Sequence, residues 1–304
     1  MQNQSSTLDK DVEFDYKKPP HENESWDQYL VRSLKRDRES ENKLMIIAGP
    51  CQIESKEQGI RIASHCAEIS DKYGFDYYYK SSFDKANRTS IDGTRGLGFE
   101  SGLELIRDVA EHSSVKTCVD FHEPHQIDKA FSRLLLPNII QIPAFLCRQT
   151  DLLLKAKEYA GGGGRKADMI NVKKGQFLAP WDIDGILSKT GTEHVMITER
   201  GTSFGYNTLV VDYTGLDYML NSYSVPIVFD GTHAVQKPGG QGNSSGGNRD
   251  YVPGLCRAAA AIGVNNFFVE VHEDPDNAPS DGPNMLNLKQ FEDLLKGIKY
   301  HANG

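Results

Sequence analysis

The sequence predicts an α/β fold, a (β/α)8 TIM barrel, on three observations. Eight short runs rich in β-branched and aromatic residues alternate with segments of helical period, the order of strand and helix that builds such a barrel. The runs are apolar on both faces, as parallel strands buried between a core and a helix layer are. The turn after the first run is Gly49-Pro50-Cys51, not the GxGxxG that a doubly wound open sheet usually carries there. A barrel of about 250 residues fits within the 304 available.

In chain order, residues 1–43 form a polar extension, broken at Pro19-Pro20 and closed by RSLKRDRESENK, with one short helix expected from Trp26 to Leu34. Residues 44–304 are the barrel domain. Its expected strands are Leu44 to Ala48, Phe75 to Tyr79, Val115 to Val119, Asn138 to Ile142, Asp168 to Val172, His194 to Thr198, Val225 to Phe229 and Asn266 to Val271. Between them, Leu103, Ile106, Val109 and Ala110 recur at helical spacing, as do Ile127, Ala130, Phe131, Leu134 and Leu135. Leu288, Phe291, Leu294, Leu295 and Ile298 close the series as a last amphipathic helix. Gly161 to Gly164 precede the fifth strand as a helix cap and turn, on the face opposite the chemistry. PGGQGNSSGGNR follows the seventh strand on the active face, where it reads as a lid, a phosphate nest or a passive loop.

Composition narrows the function. With 34 basic against 42 acidic side chains, the net charge is −8, which argues against nucleic acid or an anionic membrane as partner. Five scattered cysteines without a CxxC pair are not a disulfide framework. The N-terminus is polar and no run approaches the ~20 apolar residues of a membrane span, so a cytoplasmic protein is expected.

A TIM barrel carries its chemistry at the C-terminal ends of its strands. There stand Cys51, Lys80, Asp120, Lys173, Arg200, His233 and Glu270, while the fourth strand ends on Gln141 and leads through Ala144 to Arg148. A buried lysine ammonium costs several kcal/mol unless an anion meets it, and four cations, Lys80, Arg148, Lys173 and Arg200, converging on one rim favour a phosphate or carboxylate ligand. KSSFDKANRTS, with Ser82, Lys85, Asn87, Arg88 and Thr89, packs cations and hydroxyls into a loop suited to phosphate oxygens. Cys51, His233, Glu270 and Asp281 combine thiolate, imidazole and carboxylate, a mixed donor set that suits a divalent transition metal. Each alone reads as a core or loop residue.

These motifs occur in the order AGPCQIES, KSSFDKANRTSI, QIPAFLCRQTDL, NVKKGQF, ERGTSFGYNTLVVD, FDGTHAVQKPGG and SDGPNML, and the chain from about Leu44 to Ile298 resembles the 3-deoxy-manno-octulosonate 8-phosphate synthases. That resemblance implies condensation of phosphoenolpyruvate with arabinose 5-phosphate, releasing inorganic phosphate, in lipopolysaccharide synthesis. It implies that Lys80, Lys173, Arg148 and Arg200 hold phosphoenolpyruvate, beside Gln176 and the backbone around Ala144 and Phe145. Asn87, Arg88 and Thr89 would grip the aldose phosphate, with Ser82, Lys85, Asp120 and Gln141 also lining the substrates, and Lys80, Lys173, His233 and Asp281 in catalysis. Cys rather than Asn after the first strand implies the metal-requiring class, with iron, zinc or manganese as the ion and Cys51, His233, Glu270 and Asp281 as ligands. A homotetramer with sites near subunit interfaces is expected. Thr89 stands where relatives often have Ser, and Leu97 where RGPG would place Pro. A related synthase acting on another aldose, making a heptulosonate phosphate or a sialic-acid-like sugar, and a non-catalytic sugar-phosphate-binding barrel are the alternatives.

Overall fold

The structure, a computed structural model, describes residues 44–86, 95–133, 135–238 and 246–302. The extension with its expected helix, Leu134, and the loop residues Asn87, Arg88 and Thr89 lie outside the described residues. The eight apolar runs become the strands β1 (Leu44–Gly49), β2 (Phe75–Lys80), β3 (Lys116–Asp120), β4 (Ile139–Ile142), β5 (Met169–Lys173), β6 (Val195–Glu199), β7 (Ile227–Asp230) and β8 (Asn266–Glu270). They pair in parallel, each with its neighbour in sequence, and β1 closes on β8 through Met45↔Asn266 to Gly49↔Glu270. The closed barrel is the expected TIM fold.

Helices α1 (Lys56–Tyr73), α2 (Phe99–Ser113), α3 (Pro124–Ser132), α4 (Thr150–Glu158), α5 (Asp184–Thr190), α6 (Tyr213–Ser222), α7 (Val252–Ala261) and α8 (Leu288–Ala302) lie in sequence between and after the strands. Their apolar stripes bury Ile62, Leu103, Ile106, Ile127, Leu153, Phe291 and Ile298 in the layer between helices and sheet. Ser55 caps α1 by accepting from the Gln58 amide, and Gly74 ends it in the left-handed region at φ 76°.

Strand ends differ from expectation by at most two residues. β7 starts at Ile227 rather than Val225 because Pro226 has no N–H for the ladder; its carbonyl still accepts from Ile197. At the other end, β2, β3, β5 and β7 run on to include Lys80, Asp120, Lys173 and Asp230 within the strands. Gly161 to Gly164, all at positive φ, turn the chain between α4 and β5 as expected.

The barrel interior is plugged by Ile47, Cys118, Ile139, Met196, Val228 and Phe268. Because side chains alternate along a strand, a two-residue step from this plug reaches Gly49, Asp120, Gln141, Thr198, Asp230 and Glu270, and from partly buried Tyr78 it reaches Lys80. An apolar floor under a polar mouth is thus built into the strand period. Gly49 is required in that wall, since a Cβ there would lie 2.2 Å from the Lys80 backbone oxygen. Gly49→Ala is expected to destabilise the fold by about 1–3 kcal/mol, the range for an overpacked core site, as read by urea unfolding.

Candidate active site

Two adjoining clusters occupy the polar mouth. The first is cationic. Lys80 and Lys173 are 2% and 4% exposed and Arg200 is 7% exposed, so none can rely on water for its charge. Lys80 Nζ donates to Ser82 Oγ at 2.8 Å and lies 3.3 Å from Asp120 Oδ1, while the Ser82 hydroxyl donates to Asp120 Oδ1 at 2.5 Å. Lys85 Nζ also donates to Ser82 Oγ, at 3.0 Å, which brings the base of the KSSFDKANRTS loop into the mouth. Burial would raise the Asp120 carboxyl, but Lys80 and His122 outweigh it and hold the group well below the usual carboxylate range.

Lys173 Nζ meets Asp230 Oδ2 at 2.6 Å and sits 3.1 Å from the centre of the Phe268 ring. Burial pulls its pKa down to about 8, against the opposing pull of Asp230. Arg200 donates from Nη1 to Gln176 Oε1 at 2.9 Å and from Nη2 to Gln236 Oε1 at 2.8 Å. Gln141 is buried one step around the wall, where its Oε1 accepts from Asn171 Nδ2 at 3.2 Å and Asn171 in turn accepts from Thr198.

The second cluster is a donor set. One ligand atom each from Cys51, Glu270 and Asp281 lies within 4.8 Å of the others. β1 and β8 are neighbours in the closed barrel, which places Cys51 beside Glu270, and the Cys51 thiol donates to Asp281 Oδ2 at 3.3 Å. Asp281 sits at φ 53°, a left-handed conformation that Asp tolerates at a local cost, directly before a single helical turn, Gly282–Asn284. His233 follows β7 in the short helical turn Gly231–Ala234, whose first amides are capped by Asp230. Its Nδ1 lies 2.8 Å from Asp230 Oδ2, and an ionised carboxylate only accepts, so Nδ1 donates in that contact and Nε2 is the ring nitrogen that faces the carboxylate set. That Nε2 is 4.0 Å from Glu270 Oε1.

The chemistry of this set fits a divalent cation. Both Glu270 oxygens are buried with no hydrogen-bond partner, an arrangement that a bound cation would satisfy. Burial, then the Glu270 and Asp281 carboxylates, push the Cys51 thiol far above its ordinary value, so a metal must displace its proton. His233 is oriented through Nδ1 as a ligand imidazole commonly is.

The structure therefore gathers Lys80, Ser82, Lys85, Asp120, Lys173, Gln176, Arg200, Cys51, His233, Glu270 and Asp281 around one mouth. It does not gather Arg148. That residue was expected among the phosphoenolpyruvate cations, but it is exposed just after the turn Ala144–Leu146, with half-buried Ala144 and exposed Phe145, and joins none of the buried contacts above. The reason is local: β4 ends at Ile142, and after the single turn Ala144–Leu146 Cys147 points into the core, which leaves its neighbour Arg148 exposed. Asp230 and Gln236 also contact the residues of this mouth, and sequence reasoning passed over both. The signal for Asp230 was its place at the end of a buried strand; Gln236 offered none.

A model of the DAHP synthetase I family matches residues 35–302. A 2-dehydro-3-deoxyphosphooctonate aldolase of Rhodopseudomonas palustris is 51% identical over 258 residues, covering 84% of this chain and 86% of that protein. A protein of the same name from Brucella canis is 48% identical, covering 84% of this chain and 89% of its own length.

Replacing Glu270 by Gln removes a buried carboxylate whose two oxygens make no hydrogen bond. The variant is expected to lose the rise in melting temperature that zinc gives the metal-free parent, which differential scanning fluorimetry reads without any assay of turnover.

Proposed function

The chain belongs to the DAHP synthetase I family, and from that membership we propose that it condenses phosphoenolpyruvate with D-arabinose 5-phosphate and water to give 3-deoxy-D-manno-octulosonate 8-phosphate and inorganic phosphate. The product is that of a transferase feeding lipopolysaccharide synthesis. One observation supports the reading: three buried cations stand beside a thiol-carboxylate set, in which both Glu270 oxygens are buried without a hydrogen-bond partner, at one barrel mouth. The relatives' shared name points to the octulosonate product rather than a heptulosonate.

Lys80, Lys173 and Arg200 supply charge for the phosphate and carboxylate of phosphoenolpyruvate, and Gln176 fixes the plane of Arg200 through Nη1. Held so, C3 attacks the aldehyde carbon and forms the new carbon–carbon bond, and the aldehyde oxygen takes a proton. Water adds to C2 with loss of its own proton, and the resulting hemiketal phosphate breaks its C2–O bond to leave a ketone and inorganic phosphate. The cations oppose the charge on the phosphate through every step. Lys85, which donates to Ser82 and precedes Asn87, Arg88 and Thr89 in the chain, would join them in holding the aldose phosphate. Cys51, His233, Glu270 and Asp281 would hold iron, zinc or manganese, and a divalent cation bound there supplies Lewis-acid polarisation of the aldehyde oxygen. Positioning two anionic substrates in attack geometry accounts for up to ~7–11 kcal/mol of barrier reduction.

The reading includes a homotetramer in the cytoplasm, on the strength of the family resemblance and of five cysteines that are all unpaired. Among the described residues, no helix is long and apolar enough to cross a membrane.

Phosphate release from phosphoenolpyruvate, measured with arabinose 5-phosphate, erythrose 4-phosphate and N-acetylmannosamine in turn, tests the substrate. Arabinose 5-phosphate should be preferred, chelation should abolish turnover, and a divalent ion should restore it. No preference among the aldoses would contradict the substrate assignment, and a full rate in demetallated enzyme would contradict the metal requirement.

A further inference from the structure

We propose that Gln236 is a positioning residue that couples the phosphoenolpyruvate cations to the metal ligands, so that occupancy of either site tightens the other. The inference rests on the reading of those two sites given above.

Gln236 touches both clusters, joining the guanidinium of Arg200 to the carboxylate of Asp281. Its Oε1 accepts from Arg200 Nη2 at 2.8 Å and its Nε2 donates to Asp281 Oδ1 at 2.8 Å. The amide has no alternative orientation: a guanidinium only donates and an ionised carboxylate only accepts, so a flipped amide would set donor against donor and acceptor against acceptor. The two Asp281 oxygens are thereby divided in role. Oδ1 is anchored by Gln236, and Oδ2 faces the Cys51 thiol.

The backbone beneath the amide is also held. Gln236 pairs antiparallel with Gly247, and a Cβ on Gly247 would lie 1.6 Å from the Asn284 side chain, three residues beyond Asp281. Arg200 is fixed on its other arm by Gln176. The chain Gln176–Arg200–Gln236–Asp281 thus has little freedom to lose once one end is occupied.

The sign of the coupling follows from ordering. An ion held by Asp281 immobilises its carboxylate, and through the amide fixes the guanidinium plane that must meet the phosphoenolpyruvate anion. The second ligand then binds to groups already ordered by the first, which is positive cooperativity without a change of fold. By linkage the effect is reciprocal.

The test measures zinc affinity by competition with a colorimetric zinc indicator, with and without saturating phosphoenolpyruvate, in the wild type, Gln236→Met and Gln236→Glu. Methionine fills the same space without either hydrogen bond. Glutamate keeps the acceptor for Arg200 and loses the donor to Asp281. Phosphoenolpyruvate should tighten zinc ~5-fold or more in the wild type, the lower end of ordinary coupling between sites. In both variants that ratio should fall at least ~3-fold below the wild-type ratio, while any direct attraction between the two ligands is common to all three proteins. Calorimetric binding of phosphoenolpyruvate to each metal-free protein establishes that the variants are folded. A wild-type ratio retained in both variants overturns the inference and leaves the two sites standing. A wild type that binds neither zinc nor phosphoenolpyruvate overturns the site reading itself.

Discussion

The Asp230 carboxylate holds the mouth of the barrel together. It is fully buried, and in one position it neutralises the Lys173 ammonium at 2.6 Å, orients the His233 ring at 2.8 Å and caps the helical turn that carries His233. Burial works against its charge, yet His233 and Lys173 outweigh burial and keep the group ionised. Breaking such a pair by removing one partner ordinarily costs about 3–5 kcal/mol, because the other charge is left stranded. The anion-binding half and the metal-binding half of the site therefore share one counter-charge, and neither is arranged independently of the other.

The barrel makes that sharing possible. β7 lies between β6 and β8, so Asp230 stands between the strand that leads to Arg200 and the one that ends on Glu270. The two-residue strand period lifts each inward side chain just above the apolar plug, so the polar groups face one another rather than solvent. The net charge of −8 says little about this mouth, where the cations Lys80, Lys85, Lys173 and Arg200 stand among the carboxylates Asp120, Asp230, Glu270 and Asp281.

Much of this was legible in the sequence. Strand positions were, since runs apolar on both faces have few other homes; so were Lys80, Lys173 and Arg200, since a charge at the end of such a run has nowhere else to point. Cys51, His233, Glu270 and Asp281 were legible as a set from their donor types and from the meeting of the first, seventh and eighth strands in a closed barrel. Arg148 stands apart from the buried cations, because the turn after β4 buries Cys147 and leaves Arg148 exposed, and spacing along the chain does not record the direction of a turn. Gln236 was illegible for a related reason. Its role comes from two partners, 36 and 45 residues away in the chain, that meet only in the closed fold. Asp230 was visible as a residue but not as a bridge, because a carboxylate at a strand end reads alike whether it serves one partner or three.

The central claim is that one buried carboxylate serves both halves of the site, and Asp230→Asn tests it most directly when zinc and phosphoenolpyruvate dissociation constants are measured on the same protein at pH 8. Zinc should weaken by ~10–100-fold, as when the partner that orients a ligand imidazole is removed. Phosphoenolpyruvate should weaken with it, because Lys173, already drawn down to about 8, loses the charge that opposes burial and becomes neutral at that pH. A variant in which either affinity stays at the wild-type value would contradict the account.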